Sequence, residues 1–241
     1  MRTAYRENLD EFAFDLTQLC GRVRDAMKMA TIALLEQDLQ LAEDCLSTAD
    51  ELEEMREHCE QQAVGLLALE GPLARDLRQV VSSIYIVDEL NRMGALAIHI
   101  ARAARRRHPS GAVPEPIVPY FKELSRLTLD MLDKVHALLR DPDADVAMVL
   151  VSDDDAVDDL HDHLMLMLTR REWPHSTVEA VDVALLSRFF ERFADHTVNM
   201  AARIVYLATG LTPTEYSERR RADDLDSDWA RRFAEIEKRF S

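Results

Sequence analysis

The stretch FFERFADHTVNM, Phe189 to Met200, sets Glu191, Asp195 and Asn199 four residues apart among Phe189, Phe190, Phe193 and Val198. On a helix those three polar side chains share one face. A second acidic run, SDDDAVDDLHDH from Ser152 to His163, repeats the spacing with Asp155 and Asp159. Across a helix interface Asp155 and Asp159 would face Glu191 and Asp195, so that four carboxylates converge. Carboxylates at close range repel, and such a group needs protons, basic partners or a cation. Hard oxygen donors suit Mg, Mn, Ca or non-haem Fe, with Asn199 or His196 as further ligands. The alternative is a solvated acidic face, with Arg188 and Arg192 neutralising the Glu191 row.

Long helical patterns must position these groups. Apolar residues recur at helical spacing over Tyr5 to Glu36, Leu39 to Leu69, Leu73 to Arg107, Tyr120 to Leu139, Val146 to Arg171 and Ser176 to Thr209. Gly and Pro punctuate the gaps: EGP at Glu70 to Pro72, and Gly210 with Pro213 after the last pattern. HPSGAVPEPIVP, His108 to Pro119, is Pro-dense and divides the chain nearly in half. The expected fold is all-α, with one three-helix bundle over residues 1–108, a linker over 109–119, a second bundle over 120–212 and a helical tail over 213–241. In that tail Trp229, Phe233, Ile236 and Phe240 form an apolar stripe.

The halves resemble each other. ELNRMGALAIHIA, Glu89 to Ala101, aligns with Phe189 to Ala201 at a constant offset: Arg92 meets Arg192, Gly94 meets Ala194 and Ala101 meets Ala201. The acids do not repeat, since Asn91, Ala95 and His99 stand opposite Glu191, Asp195 and Asn199. The middle patterns echo too, Asp50 with Asp155 and Glu54 with Asp159.

Composition narrows the function. With 47% apolar residues and only six Gly among 241, the chain can fill a helical core. Its 29 Lys and Arg against 45 Asp and Glu give a formal net charge of −16, which repels phosphate backbones and argues against nucleic-acid binding. The basic run ARAARRRHP, Ala101 to Pro109, complements a helix C-terminus. The N-terminal MRTAYRENLDEFAF lacks a signal-peptide core, no run is long enough to span a bilayer, and Cys20, Cys45 and Cys59 have no metal-like spacing. A cytoplasmic location is expected.

ERFADHTVNMAARIVYLATG, Glu191 to Gly210, resembles the signature of the PhoU family of phosphate-uptake regulators, and PLARDLRQVVSSIYIVDELNRMGALA, Pro72 to Ala97, resembles its other copy. RMGALA and REWPH, at Arg171 to His175, are similar to the actinobacterial PhoY branch. The resemblance implies two tandem three-helix bundles, each with an acid-x-x-x-Asp metal cluster. It points to Asp155, Asp159, Glu191 and Asp195, with Asn199, Asp158, Asp50 and Glu54 as further candidates and Fe, Mn, Mg or Zn as the ion. It also implies a negative regulator that contacts a sensor histidine kinase and the ATPase subunit of an ABC phosphate transporter, and so meets the inner membrane through its partners. A homodimer is the remaining partner reading. Walker, kinase and nucleophile–base signatures are missing from the sequence, so no enzyme is expected. The competing reading is a ferritin-like metalloenzyme. Its Glu-x-x-His requirement meets only Glu172 with His175 around Pro174, and the Asp analogues Asp133 with His136 and Asp158 with His161.

Overall fold

The structure, a computed structural model, describes residues 2–170 and 173–222. Among the described residues the helices delimited at both ends are α1 (Arg2–Glu36), α2 (Leu39–Ser47), α3 (Ala49–Glu70), α4 (Arg75–Arg107), α5 (Val118–Leu138), α6 (Ala144–Thr169) and α7 (Thr177–Thr209). Residues 213–222 are helical as well. The described residues include no strand and no helix long and apolar enough to cross a membrane. The apolar stripe from Trp229 to Phe240 and the acid Glu172 lie outside the described residues.

Local chemistry sets the helix ends. Gln37 turns left-handed at φ 58°, and Asp38 then caps α2 by accepting from the Leu41 amide at 3.0 Å. Ser176 and Glu179 form a reciprocal capping box at the start of α7. Gly210, at φ 77°, ends that helix in the left-handed conformation that glycine adopts without a Cβ penalty.

One expected helix is two. The pattern from Leu39 to Leu69 breaks at Thr48, where the Ser47 hydroxyl donates to the Asp44 carbonyl at 2.7 Å and the Thr48 hydroxyl to the Cys45 carbonyl at 2.8 Å. Adjacent hydroxyls that bond back to the preceding turn compete with the helical ladder and bend it. Apolar periodicity continues through such a bend.

Helices α1, α3 and α4 pack together with α2 against α1 and α4, while α5, α6 and α7 form the second bundle. The halves are joined where α4 lies along α7 and α1 meets α5. Their buried apolar side chains form one continuous core, from Phe12, Met27 and Leu90 to Phe121, Phe190 and Phe193. Phe121 meets Phe190 edge to face, with centroids 5.8 Å apart.

The α4/α7 seam is antiparallel and holds a constant register. Arg78 lies beside Gly210, Arg203 covers the Tyr85 ring at 3.9 Å, Glu89 lies near Asn199, His99 stacks on Phe189, and Arg106 reaches Asp182. Glu89 with Asn199 and Phe189 with His99 are the same two repeat positions exchanged between halves. The seam is therefore a pseudo-two-fold, and the sequence offset between the halves becomes a spatial symmetry. Buried Asp182 takes both Arg106, at 3.1 Å, and Arg107. Part of the basic run at the end of α4 thus ties the halves together.

Candidate functional site

The inner face of α6 is marked by Ala147, Leu150, Val157 and Leu164, all buried. Asp154 stands four residues after Leu150 and three before Val157, so it shares this stripe and is half-buried against α7. Asp158 follows one helical turn later. On α7 the buried Phe190, Phe193 and Ala194 draw their neighbour Glu191 inward until it is only 8% exposed, and Asp195 follows one turn on. The carboxylates coupled across α6 and α7 are Asp154, Asp158, Glu191 and Asp195.

This moves the expected register on α6 by one residue. Asp155, Asp158 and Asp159 are all exposed, but Asp158 lies nearer the buried stripe and its carboxyl feels Asp195 of α7. Helical spacing alone treats the pairs 154/158 and 155/159 alike. The apolar stripe Leu150, Val157 and Leu164 was the signal that separates them. In the first half Asp50 and Glu54 are exposed on α3 as well.

The cluster is under electrostatic load. Burial, reinforced by Asp158, Asp195, Glu191 and Asp155, pushes the Asp154 carboxyl up to about 7. Burial and then Asp195 push Asp158 above the usual range. Glu191 rises from burial and Asp195, against the opposing charge of Arg188. Arg188 pairs with one Glu191 oxygen, as the neutralised-face reading expected, while Arg192 is exposed. The other Glu191 oxygen, Oε2, and Asp154 Oδ1 are buried without a hydrogen-bond partner. Unpartnered buried carboxylate oxygens are costly and demand a compensating charge.

The neighbouring nitrogen donors face elsewhere. His196 is buried with Nδ1 2.6 Å from Glu89 Oε2, and the Asn199 amide reaches the same oxygen at 3.5 Å. Both residues serve the seam with α4 and not the carboxylate group. His161 Nδ1 lies 3.1 Å from Ser187 Oγ. As the side chains stand, no three His, Cys, Asp or Glu among the described residues are arranged to ligate one ion. What α6 and α7 present is an all-oxygen group spread along a helix interface.

The PhoU domain family matches residues 16–104 and 121–204, one domain on each half of this fold. The chain belongs to the PhoU family. The phosphate-specific transport system accessory protein PhoU homolog 2 of Mycobacterium tuberculosis is 46% identical over 213 residues, covering 88% of this chain and all of that protein. PhoU homolog 1 of Mycobacterium leprae is 44% identical, covering 89% of this chain and 97% of its own length. These mycobacterial relatives agree with the actinobacterial resemblance. The crystal structure of PhoU from Pseudomonas aeruginosa superposes with a TM-score of 0.81 at 25% identity, covering 86% of this chain and all of that one. The second PhoU match contains all four coupled carboxylates. The pairings of the middle and last helices carry them onto Ala49, Glu53, Asn91 and Ala95 in the first.

Proposed function

We propose that this PhoU-family chain is a cytoplasmic negative regulator of the phosphate-starvation response that works by protein contact and not by catalysis. Its partners are the ATPase subunit of an ABC phosphate transporter and a sensor histidine kinase, and they bring it to the inner membrane. The observation that carries this reading is the PhoU match on both halves, joined to relatives named as phosphate-specific transport system accessory proteins. An adaptor between two membrane-bound machines needs shaped, charged surfaces on a rigid frame, and the continuous core with its α4/α7 seam supplies such a frame.

The α6/α7 carboxylates are proposed to hold a divalent or ferric ion, with Fe, Mn, Mg and Zn as the candidate metals. Asp154 Oδ1 and Glu191 Oε2 lack any donor, and the mutual repulsion around them is what a cation relieves. Asp154, Asp158, Glu191 and Asp195 would hold the ion through hard oxygen donors. Bound there, it supplies positive charge that links α6 to α7. A ferritin-like centre would draw on histidine, whereas His161 and His196 are engaged with Ser187 and Glu89.

Deletion of the gene tests the regulatory reading. Phosphate-scavenging transcripts rise in high phosphate if the chain restrains the response, and an unchanged transcript profile overturns it. Affinity purification of the intact chain from phosphate-replete cells should recover the kinase and the ATPase subunit. Recovery of neither removes the adaptor role.

A further inference from the structure

Ala49, Glu53, Asn91 and Ala95, the first-half counterparts of the four carboxylates, line one cavity of about 200 Å³ between α1, α3 and α4. Its inner wall is apolar: Leu19, Val23 and Leu90 are buried there, with Ile98 beside them. Of the four acids only Glu53 is kept, and Arg56 on the same helix holds it at 2.6 Å. The exposed Asp50 and Glu54 are not among the lining residues.

The mouth has also gained a cation. Arg102 lines it, where the second half carries Ala202. His99, at the same edge, stacks on Phe189 with centroids 5.5 Å apart. Burial, and then the charge of Arg102, holds its imidazole below the usual range. The two sites differ in character: α6 and α7 gather four carboxylates, whereas α3 and α4 offer an amide, an imidazole, a guanidinium and a single carboxylate, Glu53, already paired with Arg56, around an apolar hollow. An apolar cavity of roughly 150 Å³ holds benzene, so this one admits a single ring or a short branched chain. A guanidinium over apolar walls selects an acid and repels an amine.

We propose that this first-half cavity binds a small organic carboxylate with an aromatic or branched aliphatic body, the acid held by Arg102 and Asn91 and the apolar end against Leu19, Val23 and Leu90. The site does not depend on a cation at α6 and α7. Fluorine NMR of the full chain titrated with 4-fluorobenzoate, and separately with 4-fluorobenzylamine, tests it. The benzoate should give a saturable shift, and the amine of similar shape should bind at least about tenfold more weakly, the effect of one favourable charge contact. Arg102→Ala should weaken the benzoate by about tenfold. Ala95→Phe, an exposed position at the mouth, should block it, and Asn91→Leu should weaken it without filling the core. Equal binding of acid and amine overturns the proposal. So does benzoate binding that survives Ala95→Phe in a chain with an unchanged circular dichroism spectrum, or a benzoate titration with no saturable shift.

Discussion

Replacing Asp154 with Asn tests whether the carboxylates of α6 and α7 strain the metal-free fold. Burial and the neighbouring acids lift the Asp154 carboxyl from 3.8 to about 7. Because the folded value lies above the unfolded one, the folded chain keeps a proton that the unfolded chain releases. Stability is therefore full below about pH 4, falls as the pH rises, and reaches its reduced level above about pH 7. A shift of about three units corresponds to roughly 4 kcal/mol in a dry interior. Asp154 is half-buried, so solvent screening brings the effect to on the order of 1–2 kcal/mol. Urea unfolding in EDTA, followed by circular dichroism at pH 3.5 and pH 8, reads this directly. Asp154→Asn should match wild type at the lower pH and exceed it by about 1–2 kcal/mol at the higher. Manganous ion should reverse the order, since an ion at about a hundred times its Kd adds roughly 2.7 kcal/mol to a chain that binds it when folded. The same pH dependence in both chains in EDTA would refute the electrostatic argument. A variant stabilised by manganese as strongly as wild type would refute the cation site.

The remaining predictions concern cation content and packing. Glu191→Ala with Asp195→Ala should reduce bound manganese to background by elemental analysis, and equal content in variant and wild type removes the site. Ala49→Asp, Asn91→Glu and Ala95→Asp together rebuild the missing acids of the first half beside Glu53 and should raise manganese per chain about twofold; unchanged content would mean that the acids are not what distinguishes the halves. Phe193, fully buried, should cost about 3–5 kcal/mol on replacement by Ala, measured by urea unfolding. Gly210→Ala places a Cβ at a left-handed position, 3.6 Å from the Arg78 guanidinium carbon, and should lower stability by about 1 kcal/mol.

The sequence by itself determined the helical class, the duplication and the family. Apolar spacing, Gly and Pro breaks and the repeat between Glu89–Ala101 and Phe189–Ala201 are local signals that survive without a fold. It also singled out Glu191 and Asp195, because aromatic neighbours at helical spacing mark a buried face. The tertiary structure decided what a local pattern leaves open. The bend at Thr48 turns on hydroxyls bonding backward, which apolar spacing passes over. Asp154 and not Asp155 joins Asp158 opposite α7, because adjacent helical positions differ by about 100° and only packing selects which one turns inward. His196 and Asn199, close to the acids in sequence, are drawn instead to Glu89 across the seam. Asn91 and Ala95 read in sequence as a lost acid pair. In the fold they open a cavity beside Arg102, since the walls and charge of a site come from several helices at once.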